Sequence, residues 1–210
     1  MLPLQSSACA LWRIWTGGPR ERRPPRQPQS VDSRRTEVSD QLTWIRSVLS
    51  TTPERWIQLG ETVPPELLRA APKAGEWSAL ECLQHLLDAE RVVFPFRARR
   101  LLEGQDFPAY DPVRDGTKVG PEASPAAMAQ GFRQMRADSL QLLAGIEERA
   151  LERRGRHPEL GEVSLGELLN EWAAHDLVHT MQAERAIMQP FLQRVGPWRK
   201  SFQEHLFEPG

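Results

Sequence analysis

Cysteine is scarce in this chain: among 210 residues there are two, Cys9 and Cys82. Two cysteines build neither a disulfide framework nor a cysteine-based zinc pattern, so a reducing, cytoplasmic setting is the simpler expectation. Long apolar runs are missing too. No stretch approaches the roughly 18–20 apolar residues that a membrane-spanning helix needs, and no membrane partner is expected. The opening MLPLQSSACALWRIWTGG is mildly apolar, without a basic start or a long uninterrupted apolar segment, and does not read as a cleaved leader. Net charge is nearly absent at −1, which removes any overall electrostatic case for nucleic acid. No segment reads convincingly as a strand, and no internal repeat is visible.

What is present fits one soluble globular domain, with 40% hydrophobic and 26% charged residues. Charge is nonetheless uneven. Residues 1–37 hold seven Arg against three acids, leaving 20 Lys and Arg against 25 acids in the rest. The tract GGPRERRPPRQPQSVDSRR has too little apolar content to offset chain entropy by burial. Residues 1–37 therefore read as a basic, Pro/Arg-rich, disordered tail, and 38–207 as the folded domain. A basic arm for an acidic partner would want aromatic residues interleaved with the arginines, and these are lacking.

From Val38 onward apolar residues recur at helical spacing: Val38, Leu42, Ile45, Val48 and Leu49, then Trp56, Ile57 and Leu59. Pro53 between the two groups should kink one helix or start a new turn capped by Thr52. Ser78 and Glu81 form a capping box, with Trp77 placed to staple against Cys82. That helix should run to about Glu103, bent at Pro95 and ended by Gly104. QDFPAYDPVRDGTKVGPEAS reads as a long loop. Ser124 and Pro125 open a third helix through Met128, Phe132, Met135, Leu140, Leu143 and Ile146. RRGRHPELGEV is a link, after which Ser164 and Glu167 make a second capping box with Val163 and Leu168 as staple. The fourth helix carries Leu165, Leu168, Leu169, Trp172 and Val178 on its core side and ends by Pro190. A short C-terminal helix, PWRKSFQEHLF, should pack across one end. The fold class is all-α, a four-helix bundle.

WAAHDLVHTMQ in the fourth helix places His175 and His179 one turn apart on one face. Two imidazoles so spaced can direct ring nitrogens to one cation at about 2 Å, or simply lie on a solvated face. His85 on the second helix, among Leu83, Leu86 and Leu87, is either a hydrogen-bonded buried histidine or a third ligand. A bundle interior is where different helices bring such side chains together.

GEWSALECLQHLLDAE and HPELGEVSLGELLNEWAAHDLVHTMQ together resemble the DinB-like (YfiT-type) superfamily over roughly residues 38–207. The shared features are the Trp-Ser helix start, a histidine seven residues later, and the HD-x-x-H-x-x-Q segment. The resemblance implies a four-helix bundle with metal ligands at His85, His175 and His179, and a homodimer. Residues 1–37 lie outside it.

Three neutral imidazoles leave a divalent ion its full charge and two or three open positions, an arrangement suited to catalysis. Such an ion lowers the pKa of a bound thiol or water. The superfamily is linked to both uses, a thiol S-transferase drawing on a low-molecular-weight thiol and a hydrolase. The alternative is a non-catalytic bundle that binds a metal or small molecule. Zinc, nickel, iron and copper all suit three imidazoles. Asp88, Glu81 and Glu171, each one turn from a histidine, are candidate bases or orienting partners of the imidazoles. Gln182 on the ligand face, Trp172 three residues before His175, and His157 in the loop before the fourth helix are candidate pocket residues. Asp176 points about 100° away from His175 and should face outward or bond between helices. His205 should lie at the surface.

Overall fold

A computed structural model describes residues 31–111 and 119–207. Most of the expected tail, residues 1–30, lies outside the described residues. Six α-helices follow in order: α1 (Val31–Thr62), α2 (Pro65–Arg69), α3 (Ala79–Val92), α4 (Phe94–Leu102), α5 (Pro125–Ala144) and α6 (Leu165–Leu192). α1 begins seven residues ahead of the expected boundary at Val38.

The long helices α1, α3, α5 and α6 form the bundle. Neighbours around it run α1, α5, α3, α6 and back to α1. Both capping boxes form as the sequence predicts. Glu81 accepts from the Ser78 N–H while Ser78 Oγ accepts from Glu81 N–H, and Ser164 with Glu167 repeats the exchange. A cap of this kind stabilises a helix by about 1 kcal/mol. The expected bend near Pro95 is a break at Val93 (φ −111°, ψ −79°) that divides α3 from α4, and Gly104 ends α4 at φ +67°. Proline is harmless at the start of α4, where its missing N–H has no bond to lose.

Of the two outcomes expected at Pro53, a single helix forms and no new turn starts: α1 continues through the proline. Proline has no N–H to give the carbonyl four residues back, here Leu49. That carbonyl is taken by Arg136 Nη1 from α5, at 3.0 Å. The lost rung of one helix has become a tie to another.

Strand was not expected, yet two short strands, β1 (Arg154–His157) and β2 (Gly161–Ser164), pair antiparallel ahead of α6. Four-residue strands of mostly polar residues carry too short an alternation to be legible. Two glycines enable the hairpin. Gly161 turns the chain at φ +81°, and a Cβ on Gly155 would collide with the Gln105 carbonyl oxygen. The C-terminal segment Gly196–His205 is a 3-10 helix. It buries none of its residues and is held by hydrogen bonds from Arg185 and Gln189 to the His205 carbonyl. Trp198 there is 69% exposed.

Apolar packing falls into two clusters. One gathers Leu42, Ile45, Leu49, Phe94, Leu101, Leu143, Leu165 and Trp172 toward the hairpin end. The other gathers Trp56, Leu68, Leu80, Leu83, Phe132 and Ala183. Val178, expected in the core, is instead exposed beside Leu177 and Met181. Among the described residues, no helix is long and apolar enough to cross a membrane.

Candidate metal centre

His85 on α3 and His175 and His179 on α6 meet inside the bundle, where the two helices pack together. One ring nitrogen from each lies within 4.8 Å of the others. The Nε2 atoms of His85 and His175 stand 2.9 Å apart. Ring centroids are 4.9 Å apart for His85–His175, 4.4 Å for His85–His179 and 4.5 Å for His175–His179. The capping box on α3 and that on α6 start their helices in the register that brings these rungs level.

Burial governs the electrostatics. His85 is 1% exposed and His175 9%. Burial holds both imidazoles well below the ordinary histidine range, and the neighbouring histidines add to the effect. His179 is lowered to about 4, again by burial, opposed by its hydrogen bond to Gln182. At neutral pH all three are uncharged, the form a metal requires.

Proton positions sharpen this. His179 Nδ1 donates to Gln182 Oε1 at 3.0 Å, which leaves Nε2 as the lone-pair nitrogen of the neutral ring. His175 Nδ1 is buried without a hydrogen-bond partner, with the Phe94 ring T-shaped beside it at 5.0 Å. The 2.9 Å contact between the Nε2 atoms of His85 and His175 is a hydrogen bond in which one neutral ring donates to the other. The unsatisfied Nδ1 of His175, by contrast, is unusual for a protein interior, which hydrogen-bonds its buried polar atoms. The donor set of three neutral imidazoles fits a divalent transition ion.

The other candidates divide. Glu81 is committed to its capping box, accepting from both Ser78 N and Oγ at 2.7 Å. Asp88 accepts from Gln84 Nε2 at 3.0 Å and lies 3.5 Å from Arg91. Neither belongs to the cluster of potential ligands. Glu171 is largely buried; burial raises its pKa, with Arg97 opposing the rise. Trp172 is fully buried and stacks on Phe94 at 5.2 Å, so it reaches the centre only through Phe94. His157 ends β1, its ring 5.7 Å from Phe107 and its Nδ1 accepting from the N–H groups of Glu159 and Leu160. It serves the hairpin turn and is not part of the cluster.

Two contributors were not foreseen. Trp77, expected as a staple, lies 5.0 Å from the His85 ring and stacks on His179 at 5.8 Å, walling one side of the centre. Its position just before the Ser78 cap was the available signal.

The other is Arg136. It is 1% exposed and donates all five N–H groups: to Glu90 Oε2 from Nε (3.1 Å) and Nη2 (2.8 Å), to both Asp176 oxygens (2.6 and 3.1 Å), and to Leu49 O. Its guanidinium also lies over Phe132 of one core cluster and Trp172 of the other. Asp176 thus bonds between helices, the second of its two expected roles. Nothing in GFRQMRADS distinguishes Arg136 from its charged neighbours.

A model of the DinB superfamily matches residues 48–183 of this chain. No curated protein matches it in sequence. Among solved structures, YfiT from Bacillus subtilis, described as a probable metal-dependent hydrolase with an unusual four-helix bundle topology, is similar at a TM-score of 0.62. The two share 18% identity over 83% of this chain and 94% of YfiT. A second Bacillus subtilis structure, the DinB-like protein YjoA, has a TM-score of 0.48 and 18% identity, over 70% of this chain and 92% of that one.

Proposed function

This chain belongs to the DinB superfamily, and from that footing we propose that it is a metal-dependent enzyme acting on small molecules. His85, His175 and His179 hold one divalent transition metal, with zinc, nickel and iron the candidates. The reaction is attack by an external nucleophile, a low-molecular-weight thiol (S-transfer) or water (hydrolysis). The observation that carries the reading is the convergence of three neutral imidazoles, two buried and His179 partly so, with their ligand nitrogens within 4.8 Å of one another. The description of YfiT as a probable metal-dependent hydrolase, carried to this chain, is the water branch of the proposal.

A metal at such a centre supplies Lewis acidity, which brings the pKa of a bound thiol or water toward neutrality. The protein's own residues do the rest. Gln182 fixes the His179 ring through Nδ1. Trp77 and Phe94 flank the imidazoles and exclude water from two sides. Glu171, one turn before His175 and with a carboxyl less acidic than usual, accepts the nucleophile's proton. The thiol does not come from the protein: Cys82 is fully buried, and burial pushes its pKa far up. Leu177, Val178 and Met181, exposed together on α6, are the surface for pairing with a second copy.

Elemental mass spectrometry on protein prepared without a His-tag, beside a His85→Ala/His179→Ala variant, tests the reading. About one equivalent of transition metal in the parent and none in the variant is expected. No metal in either after reconstitution would leave a structural bundle. A cobalt-substituted sample whose visible spectrum shifts with an added thiol selects the transferase branch.

A further inference from the structure

Arg97 is the second guanidinium that the fold buries, and its surroundings differ from those of Arg136. It stands on α4, one turn beyond Phe94, and is 4% exposed. Among the described residues its contacts are the Phe107 ring, 5.2 Å from Cζ, and one long hydrogen bond from Nη2 to the Pro108 carbonyl at 3.5 Å. A guanidinium offers five N–H donors in a planar fork and keeps its charge throughout the accessible pH range. Arg136 uses all five of its donors and meets two carboxylates. Glu171 and Glu159 act on Arg97 through their field, without ion-pair contact. Burial opposes its charge, as lowering of its pKa indicates.

Position gives this cation a use. α3 and α4 run antiparallel to α6. His85 is level with His179 and His175, and Phe94 with His175 and Trp172. The next step along α4 is Arg97, and the next along α6 is Glu171. Glu171 precedes His175 by one turn, about 6 Å of axial rise. Arg97 therefore lies about one helical turn from the histidines along the same seam, close enough for its charge to act on His175. Phe107 also meets His157 of the hairpin, edge to face at 5.7 Å.

We propose that Arg97 receives a carboxylate carried by the small molecule that enters the histidine centre, and so determines which substrates bind. This rests on the reading that the three histidines hold a metal. A carboxylate matches the planar fork with two parallel N–H···O bonds. Glu171 nearby disfavours a dianion such as phosphate and leaves a monoanion as the better fit.

The test uses the full chain loaded with cobalt(II) and two thiols of one shape, 3-mercaptopropanoate and its neutral amide, titrated by visible absorption. Saturation-transfer NMR of the same pair on metal-free protein gives a second readout. The parent should bind the acid at least about tenfold more tightly than the amide, equivalent to one charge-assisted hydrogen-bonded contact. Arg97→Gln should level the two by weakening the acid alone, and Glu171→Gln should strengthen the acid severalfold. Equal binding of acid and amide by the parent overturns the proposal, as does a preference that survives in Arg97→Gln. So does displacement of the acid by inorganic phosphate at lower concentration. Should Arg97→Gln not fold, the parent's ratio and the Glu171→Gln shift decide. A cobalt spectrum indifferent to both thiols, with acid preference intact in the metal-free protein, means that the metal reading has failed and Arg97 stands. Spectra that respond equally to both thiols mean the reverse.

Discussion

The Arg136 knot and the histidine centre are built on the same helices, and α6 supplies adjacent residues to each, Asp176 to one and His175 to the other. Their burial is alike and their chemistry is not. Arg136 is saturated by Glu90, Asp176 and the Leu49 carbonyl, so one side chain ties α5 to the other three long helices. At the histidine centre the nitrogens face one another, and His175 Nδ1 has no partner. Each place leaves one buried atom without a partner, Glu90 Oε1 in the knot and Nδ1 of His175 at the centre. The knot, however, neutralises its own charges, while the imidazoles are neutral donors that a cation can use. The difference between the two places is one of charge: three charged side chains balance one another in the first, and three neutral rings meet in the second.

The largest expected effect breaks the knot. Arg136→Met leaves Glu90 and Asp176 buried without their cation and should cost about 3–5 kcal/mol in urea unfolding. Replacing all three members with apolar residues of similar volume should restore much of that loss. If the single and triple variants are equally unstable, the knot does more than neutralise its own charges.

Next in size is acid. His179 takes its proton at about 4 in the folded protein, against the ordinary histidine value of about 6.5. Between these two values the unfolded chain binds a proton that the folded one refuses. Stability is thus complete above about pH 6.5 and falls as pH drops toward 4, by about 3 kcal/mol for this group. His85 and His175 are shifted in the same direction and add to the slope. Metal-free parent should lose more stability between pH 7 and 5 than His179→Asn. Parallel pH profiles for the two would show that His179 is not buried in its neutral form.

The smallest of the three sharpens the comparison from the functional side. Gln182→Ala removes the acceptor for His179 Nδ1 and should weaken metal binding about 10–100-fold. Unfolding of the metal-free protein should move little, because Gln182 lies outside the knot. A larger change in stability than in metal affinity would return Gln182 to the structural side.

How far the sequence reached can be seen residue by residue. The capping boxes at Ser78 and Ser164 were legible because each depends on side chains three residues apart, and both helices start there. The HxxxH pair was legible because helical spacing alone puts its members on one face. His85 as their partner needed the family pattern, since 90 residues separate it from His175. Glu81 illustrates the limit. Its spacing from His85 and its place in the capping box made competing demands, and the box holds it. The hairpin before α6 escaped notice because its strands are short and polar and rely on glycines that fit only against Gln105 and the turn.

Local physics, then, was determined by the sequence: where the capped helices start, that Pro95 and Gly104 interrupt them, and which face of α6 carries two imidazoles. The tertiary structure alone decided which buried charges meet. It sent Arg136 to two carboxylates and to the carbonyl freed by Pro53, and it left Arg97 with an aromatic ring, the Pro108 carbonyl and the field of Glu171 without an ion pair. The reason is that helix starts and faces depend on neighbours within a turn or two, while the partner of a buried charge depends on how helices far apart in the chain are set side by side.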